Sequence, residues 1–333
     1  MTEFTRPAVT IIIVSYNTCA LLRQCLTSTL HPTLPLEVIV VDNASHDGSS
    51  EMVHAEFPGV GLIRNTANRG FAGATNQAIT ASMHYHTPYL LLLNPDAQLL
   101  PDALETLYGF MQAHPRVGCV GARLLYPDGS FQEAAWHFPT PWMTLFDLFP
   151  PQGPLFGRLQ TSALNGRYQA EHGTEPFPVD HPLGAAMLIR RRTLEAVGPL
   201  DEGYWLYVEE VDWCRRAKLA GWSIWQVPQA QVVHVAGASS RQFRGRSLVA
   251  LHRSRLRFFR KFEEPRVVNL HRRIMQLGMI WATIHSCWVW WRGHIPLDEL
   301  RSRLASYGAV THLAHATCAS EELQAADGIM GPR

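Results

Sequence analysis

The sequence lacks the glycine-rich loops with which many nucleotide-binding proteins hold phosphate groups. Its 333 residues contain neither a G-x-G-x-x-G run nor a G-x-x-x-x-G-K-[ST] run. The first absence argues against a dinucleotide-dependent dehydrogenase, and the second argues against a P-loop enzyme. A nucleotide diphosphate bound by this chain would need a metal ion or basic side chains to neutralise its charge.

Cysteines at metal-binding or redox spacing are also missing. No C-x-x-C pair occurs among the six scattered cysteines, which are Cys19, Cys25, Cys119, Cys214, Cys287 and Cys318. This usage is typical of reduced thiols in a cytosolic protein, and it favours neither a disulfide framework nor a zinc site. We expect no signal peptide, because the apolar run from Val9 to Val14 is short and lacks a cleavage site of small residues.

A strong overall charge is absent as well. The formal net charge is +1, so no general field attracts nucleic acid, and we expect no nucleic-acid partner. Hydrophobic residues make up 47% of the chain, which is enough for a substantial core in one large or two moderate domains.

Short apolar runs alternate with segments of helical periodicity through the first 120 or so residues. This alternation predicts βαβ units and a parallel sheet. The predicted strands are Val9 to Val14, Leu36 to Val41, Val60 to Ile63, Leu90 to Leu93 and Val117 to Ala122. From Trp136 to Val179 the periodicity is lost in an aromatic-rich segment, which is either a substrate-facing lid or a packed irregular loop.

The four leucines from Leu90 to Leu93 predict a buried strand that stops at Asn94-Pro95-Asp96. Asp96 then lies at the carboxyl end of a core strand, the edge at which open α/β sheets bind ligands. A carboxylate there can hold a divalent cation, and the cation can hold a diphosphate. The alternative is that Asn94 and Asp96 only form a turn.

Polar residues follow two further predicted strands, at Ser15-Tyr16-Asn17 and at Asp42-Asn43. In a parallel sheet these loops converge with the Asn94 turn. A carboxylate such as Asp42 can bind a base edge or a ribose hydroxyl, or it can simply cap the next helix.

Three carboxylates, Glu209, Glu210 and Asp212, fall within four positions between aromatic and apolar residues. Partial burial beside like charges raises the pKa of a carboxylate and suits it to general-base catalysis, whereas a solvated face is the simpler alternative. His234 ends an apolar strand and is either a neutral metal ligand or a core residue.

Six motifs occur in a fixed order between about Val9 and Ser240. Together they resemble the inverting family 2 glycosyltransferases, and most closely the bacterial rhamnosyltransferase-like branch. The motifs are Val-Ser-Tyr-Asn, Asp-Asn-Ala-Ser-His-Asp-Gly-Ser, Asn-Arg-Gly-Phe-Ala-Gly, Asn-Pro-Asp, Gly-Ala-Ala-Met-Leu-Ile-Arg-Arg and Tyr-Val-Glu-Glu-Val-Asp-Trp-Cys-Arg-Arg.

The resemblance implies an α/β GT-A fold, with a mostly parallel central sheet flanked by helices and a helical C-terminal extension. A nucleotide-binding half over 1–122 and an acceptor-binding half over 123–240 would form the glycosyltransferase domain. The C-terminal part matches the family much more loosely, and its composition predicts a basic and aromatic helical extension over 241–318 and a disordered tail over 319–333.

The resemblance also implies roles for the residues that bind the donor. Residues that would line the nucleotide or sugar pocket are Ser15, Tyr16, Asn17, Asp42, Asn43, Asn68, Arg69, Gly70, Asn94 and Asp96. The Asn94 turn occupies the place of the family's D-x-D motif. Asp96 would therefore bind the Mg²⁺ or Mn²⁺ ion that bridges the donor diphosphate, and His234 would complete the metal site.

The acidic motif departs from the family pattern, in which an Asp is the base. Glu210 stands in that place and is one methylene longer, and a displacement of about 1 Å can cost on the order of 100-fold in rate. Glu210 is the expected base, and Glu209 and Asp212 remain candidates.

The implied function is metal-dependent inverting transfer of a sugar such as rhamnose from a nucleotide-diphosphate donor. The acceptor would be a hydroxyl of a cell-surface polysaccharide or of its lipid-linked precursor. Two alternatives remain. The altered acidic motif would suit a non-catalytic nucleotide-sugar-binding protein, and a nucleotidyltransferase would need a phosphate loop that Ser15 to Ala20 does not offer.

The region from Ile274 to Trp291 is apolar and tryptophan-rich, with arginines on both sides. It is near the lower limit of a membrane span, which needs about 17–25 apolar residues. A membrane-surface helix, a soluble packing or dimer helix and a true span are the alternatives.

The basic stretch from Arg241 to Lys261 would bind donor phosphates, anionic lipid or a lipid-diphosphate acceptor, or it is a solvated face. We therefore expect a cytoplasmic protein that contacts the inner face of the cell membrane through 241–292. The sequence predicts no oligomeric state.

Overall fold

The structure is a computed structural model that describes residues 7–30, 33–151, 157–237 and 244–316. The described residues divide into two compact units, one within 1–138 and 161–242 and the other within 139–160 and 243–333. Helices in the described residues are α1 (Cys19–Thr27), α2 (Ser49–Glu56), α3 (Gly70–Ser82), α4 (Ala103–Ala113), α5 (Pro141–Leu148), α6 (Arg191–Val197), α7 (Glu209–Leu219), α8 (Arg244–Phe262), α9 (Pro265–Trp291) and α10 (Leu297–His315).

Four parallel strands form one half of the central sheet of the first unit. They lie in the order β3-β2-β1-β4, where β1 is Val9–Ser15, β2 is Leu36–Asp42, β3 is Gly61–Arg64 and β4 is Tyr89–Leu93. All three pairings are parallel, so these strands end at one edge of the sheet. Each strand matches its predicted bounds to within one residue.

The other half of the sheet is mixed. Its strands are β5 (Ala97–Leu99), β6 (Val117–Leu125), β7 (Phe131–Gln132), β9 (Phe177–Pro178), β11 (Ala186–Arg190) and β12 (Ser223–His234). The short strands β8 (Ala135–Trp136) and β10 (His181–Pro182) form a separate antiparallel pair. β11 runs antiparallel between β4 and β6, while β12 runs parallel to β6 and antiparallel to β5. The α/β class is confirmed, but the run of parallel pairings is interrupted at β11, which is antiparallel to both of its neighbours.

Both faces of the sheet are buried. Ile11 and Leu91 enter one apolar cluster, whereas the next residues along the same strands, Ile12 and Leu92, enter another. Because successive side chains of a strand point to opposite faces, this pattern shows a sheet covered on both sides. α1, α2 and α4 contribute to the first cluster, and α3, α6 and α7 contribute to the second.

The aromatic segment predicted as a lid or a packed loop is packed where it belongs to the first unit. The ring of Tyr168 stacks on His137 with the centroids 3.9 Å apart, and the Arg167 guanidinium lies 3.6 Å from the centroid of Trp136. These contacts join the beginning of the segment to its later part, which favours the packed-loop alternative.

The second unit contains α5 and the C-terminal helices. A Cβ on Gly278 would lie 2.5 Å from Cδ1 of Leu148, so the absence of a side chain there lets α5 approach α9. Asp147 of α5 also pairs with Arg255 of α8 at 2.6 Å. These contacts explain why 139–160 groups with the C-terminal helices, whereas the sequence placed it in the acceptor-binding half.

Within the described ranges, no helix has the length and hydropathy needed to cross a membrane. The predicted disordered tail 319–333 lies outside the described residues. The predicted boundary at Ser240 and Arg241, the first residue of the predicted basic stretch, also lie outside them.

Candidate active site

The predicted site loops meet at the carboxyl edge of the parallel strands. Ser15, at the end of β1, pairs in register with Asp42 at the end of β2. The Asn94-Pro95-Asp96 turn follows β4 at the same edge. β11 starts there too, because Ala186 pairs with Leu93. The convergence predicted from parallel strands is thus present.

Asp96 and His234 lie side by side because β5 pairs with the end of β12, where His234 is opposite Ala97. Oδ1 of Asp96 is 3.3 Å from Nε2 of His234, and both side chains are buried. Two ligands that bind one Mg²⁺ at right angles are about 3 Å apart, given bond lengths of about 2.1 Å. The separation fits neighbouring ligands of one cation.

Gln132 determines which nitrogen of His234 faces Asp96. Its Oε1 lies 2.9 Å from Nδ1 of His234. Because an amide oxygen only accepts, Nδ1 donates, and Nε2 of the neutral ring carries the lone pair. That lone pair faces a carboxylate oxygen of Asp96. The amide nitrogen of Asn94 lies 3.4 Å from the same Nε2 atom. An imidazole nitrogen and a carboxylate oxygen form a donor set that suits a divalent cation, and Gln132 orients it from outside.

Gln132 was not predicted, because it lies outside every motif and its pairing with His234 spans 102 residues. Among the described residues, no group of three or more His, Cys, Asp and Glu side chains is arranged to hold a metal. Asp96 and His234 are thus a pair of candidate ligands and not part of a larger cluster of such residues within the described ranges.

A strained turn precedes the acidic helix. Tyr207 and Val208 have φ values of 67° and 70°, in the left-handed region. This conformation costs about 1–2 kcal/mol for each residue that is not glycine, and it is especially rare for β-branched valine. α7 starts directly after the turn, with Glu209 and Glu210 in its first turn. Strain of this kind concentrates at functional sites.

Glu209 and Glu210 each have a buried Oε2 atom without a hydrogen-bond partner among the described residues. Burial is the main cause that raises the pKa of Glu209 well above its usual range, and the charge of Glu210 adds to it. Burial also raises the pKa of Glu210, but the backbone N–H groups of Val211 and Gly184 oppose this shift. Glu210 is therefore the better stabilised of the two as a carboxylate.

Asp212 is part of the structural framework. Its Oδ1 accepts a hydrogen bond from Nε of Arg216 at 2.7 Å, and its Oδ2 accepts one from the Tyr204 hydroxyl at 3.1 Å. Arg216 also donates to the carbonyl groups of Val197 and Pro199. Asp212 is 0% exposed and both its oxygens are bonded, so the geometry argues against it as the base.

One dipeptide connects the acidic helix with the Asn94 turn. The carbonyl of Ala185 accepts a hydrogen bond from the Asn94 N–H at 2.9 Å. The neighbouring Gly184 N–H interacts with the Glu210 carboxylate, and a Cβ on Gly184 would lie 3.4 Å from Cγ of Glu210. Glu210 and the turn that carries Asp96 thus contact adjacent residues of the chain, Gly184 and Ala185.

Asn43 organises the loop that carries the Asn-Arg-Gly motif. Its Nδ2 donates to Oδ1 of Asn68 at 2.9 Å and to the Gly70 carbonyl at 3.2 Å. Its Oδ1 accepts from Nδ2 of Asn65 at 3.1 Å and from the Arg69 N–H at 3.0 Å. All four hydrogen-bonding capacities of this amide are used within the protein, so a role of Asn43 in donor binding is indirect.

Gly70 joins this loop to the segment before the acidic helix. The Phe71 N–H donates to the Trp205 carbonyl at 2.8 Å. Gly70 has a φ of +73°, and a Cβ on it would lie 2.6 Å from Cδ1 of Trp205. Only glycine combines this conformation with so close an approach.

Asp42 has a buried Oδ1 atom without a hydrogen-bond partner in the described parts of the chain. Burial is the main cause that raises its pKa. An unpaired buried carboxylate oxygen is costly unless a ligand supplies a donor. The alternative in which Asp42 caps the next helix is wrong, since α2 has Gly48 at its N-cap and Asp47 accepts a hydrogen bond from the Ser49 N–H.

The loop after β1 is tied to the loop after β2. Oγ of Ser15 hydrogen bonds with Thr18 at 2.9 Å. The Asn17 N–H donates to Oγ of Ser45 at 3.0 Å, and Oδ1 of Asn17 accepts from the His46 N–H at 2.8 Å. Both loops therefore form one wall beside Asp42, and a half-buried tyrosine, residue 16, lies in it.

Comparison with known proteins identifies the family of the chain. The model of glycosyl transferase family 2 matches residues 10–197. The chain is 28% identical over 253 residues to the N-acetylglucosaminyl-diphospho-decaprenol L-rhamnosyltransferase of Mycobacterium tuberculosis, covering 73% of this chain and 81% of that protein. It is 26% identical over 182 residues to the rhamnosyltransferase WbbL of Escherichia coli K12, covering 52% of this chain and 64% of WbbL.

Among solved structures, the mannosyltransferase PcManGT from Pyrobaculum calidifontis, in complex with GDP-Man and Mn²⁺, aligns with a TM-score of 0.53 and 18% identity. The alignment covers 98% of this chain and 80% of that one. This likeness shows the fold and confirms the expected GT-A architecture. The chain is a glycosyltransferase, and it belongs to glycosyl transferase family 2, in its rhamnosyltransferase-like branch.

Proposed function

We propose that this glycosyltransferase is metal-dependent and inverting, and that it moves a sugar from a nucleotide-diphosphate donor to an acceptor hydroxyl. One observation carries the proposal: the turn with Asp96 and the carboxylate of Glu210 both contact the Gly184-Ala185 dipeptide. Leaving-group stabilisation and a general base are thus available at one place, as a single displacement requires. Such a displacement inverts the anomeric carbon and needs no covalent enzyme intermediate.

The donor nucleotide would bind at the ends of β1 and β2. The unpaired Oδ1 of Asp42 can accept a hydrogen bond from a ribose hydroxyl or a base N–H. Asn68, Arg69 and Gly70, held in place by Asn43, would lie near the sugar. Ser15, Tyr16 and Asn17 would complete the wall of the pocket.

The residues present fit a divalent cation. Asp96 and His234 would hold Mg²⁺ or Mn²⁺, with Gln132 orienting the imidazole. When bound, the cation neutralises charge that develops on the departing nucleoside diphosphate. Asp96 and His234 alone would supply only part of the coordination that Mg²⁺ or Mn²⁺ requires, so we propose that donor and cation bind together.

Glu210 is the proposed base. Burial raises the pKa of Glu210 towards neutral pH, and a higher pKa makes its carboxylate a stronger base for a hydroxyl proton. The N–H groups of Val211 and Gly184 favour its ionised form and fix its direction. Glu209 lacks these two stabilising donors, and its pKa lies further above the usual range, so it would stay protonated beside Glu210.

The names of the relatives suggest the sugar and the acceptor. The Mycobacterium tuberculosis relative is a rhamnosyltransferase for N-acetylglucosaminyl-diphospho-decaprenol. We propose rhamnose as the transferred sugar, a thymidine diphosphate as its carrier, and a saccharide or a lipid-linked precursor of a cell-surface polysaccharide as the acceptor. Such an acceptor lies at a membrane, so we also propose that the enzyme works on the inner face of the cell membrane as a peripheral protein.

A thermal-shift screen tests donor and cation together. A ligand that binds only the folded state raises the melting temperature. We expect dTDP-rhamnose to raise it in the presence of Mn²⁺ or Mg²⁺ and to have a much smaller effect in EDTA. Asp96→Ala should abolish the metal-dependent part, whereas the exposed Asp298→Ala should not. If no nucleotide sugar changes the melting temperature under any of these conditions, the proposal is wrong.

A further inference from the structure

Helix α9 carries an exposed apolar face that no other described element covers. The face consists of Leu270, Leu277, Ile280, Trp281, Ile284, Trp288 and Trp291, which are between 46% and 73% exposed. At about 100° of rotation per residue, all seven fall within roughly 100° of the helix circumference. They form one continuous stripe over six turns of helix.

The stripe is distinct from the side by which α9 packs in its own unit. Met275 and Met279 of α9 are buried with Val310 and Ala314 of α10. Gly278 faces Leu148 of α5. Helix α9 therefore uses one apolar side to pack within the second unit. The exposed apolar face is a second surface of the same helix. Large exposed apolar patches of this kind mark interaction sites.

A groove continues the apolar face into the protein. It has a volume of about 510 Å³ and lies between α9 and α10. Ile280 and Ile284 belong to both the face and the groove, and Leu304 and Tyr307 line the opposite wall. A hydrocarbon chain that met the face could extend into this groove.

Positive charge surrounds the apolar face. Arg266 and Arg273 lie on the same side of α9 near its start, Arg292 follows its end, and all three are exposed. Residues 244–292 contain eleven Lys and Arg and only two acidic residues, Glu263 and Glu264, neither of which lies in α8 or α9. The surface therefore complements an anionic one.

We propose that this face of α9 docks onto the surface of a bilayer that contains anionic lipid. Tryptophans and isoleucines would enter the boundary between headgroups and acyl chains, and the arginines would contact lipid phosphates. A second copy of this chain fits less well, since pairing two such faces would bring arginines of like charge together. The inference rests on the peripheral location proposed above, but it is independent of the transfer reaction.

Vesicle sedimentation of the full chain, without nucleotide, tests the proposal. We expect binding to vesicles of equal parts phosphatidylcholine and phosphatidylglycerol, and much weaker binding to phosphatidylcholine alone. The double variant Trp281→Glu/Ile284→Glu should reduce the bound fraction at least tenfold. Trp290→Glu is the matched control: Trp290 lies on the same helix, is 42% exposed and is about 130° around the helix from the centre of the face, so this variant should bind as the wild type does.

Three results would overturn the proposal. They are no binding to anionic vesicles, equal binding by the double variant, or equal loss of binding in the double variant and in Trp290→Glu. A dimer in vesicle-free solution that the double variant dissociates would assign the face to a second copy instead. Donor turnover in vesicle-free solution is measured separately, so failure of the transfer reaction and failure of membrane docking give different results.

Discussion

The second unit contains buried histidines that should make its stability depend on pH. His271 of α9 is 0% exposed, neither ring nitrogen has a hydrogen-bond partner among the described residues, and its ring lies 4.2 Å from that of Phe259. Burial, and then the charge of Arg255, lower the pKa of His271 from 6.5 to about 3. The same two causes lower the pKa of His252 to about 4.

The sign of the pH effect follows from which state binds the proton. Below pH 6.5 the unfolded chain protonates these histidines while the folded protein keeps them neutral, so acid favours unfolding. The stability is fully present above the unfolded pKa and is lost as the pH falls from 6.5 towards 4. At about 1.4 kcal/mol for each pH unit, the loss at pH 5 is about 2 kcal/mol for each histidine.

The substitution His271→Phe isolates this contribution. Phenylalanine keeps a ring against Phe259, and no hydrogen bond is lost. Between pH 7.5 and pH 5, we expect the free energy of unfolding of the variant to fall by about 2 kcal/mol less than that of the wild type, measured by urea unfolding with far-UV circular dichroism. His285→Phe, at an exposed position of the same helix, should follow the wild type. Identical pH dependence of wild type and His271→Phe would refute the reasoning.

Three further predictions concern the site. Gly70→Ala should lose more stability in urea unfolding than Gly48→Ala and should weaken donor binding, because both glycines have positive φ but only Gly70 faces Trp205, whereas a Cβ on Gly48 meets nothing within 4 Å. Gln132→Ala should weaken Mn²⁺ binding by about 10–100-fold in a spectroscopic titration with nucleoside diphosphate, and Gln132→Glu, which keeps an acceptor, should restore part of it. Asp212→Asn should cost about 3 kcal/mol of stability by breaking a buried ion pair, while the protein that remains folded keeps its turnover within several-fold.

The parallel half of the sheet could be predicted because its information is local. The run Leu90 to Leu93 is apolar at every position and the run Val9 to Val14 at every position except Thr10, as is typical of strands buried on both faces. Polar turns follow both runs. Because the predicted strands are parallel, the loops that follow them must lie at the same edge of the sheet. The position of Asp96 at that edge, beside a strand end that carries His234, followed from this argument and from the family resemblance.

Other features depend on contacts between distant residues and gave no local signal. The reversed direction of β11 is set by its pairing with β4 and β6. The pairing of Gln132 with His234 and the contact of Gly184 with Glu210 arise only once the sheet has formed. The sequence favoured Glu210 as the base but left Glu209 and Asp212 as candidates. In the structure, both oxygens of Asp212 are hydrogen bonded, and backbone N–H groups favour the ionised form of Glu210.

The most direct test of the account is acceptor-dependent release of nucleoside diphosphate from the nucleotide sugar. We expect the wild type to turn over dTDP-rhamnose with Mn²⁺ or Mg²⁺, and Glu210→Gln to lower the turnover number about 10²–10⁴-fold, the range that general bases contribute. The exposed Glu195→Gln is the matched control and should keep wild-type turnover. Glu210→Gln with wild-type turnover, or a wild type that turns over no nucleotide sugar, would contradict the central claim.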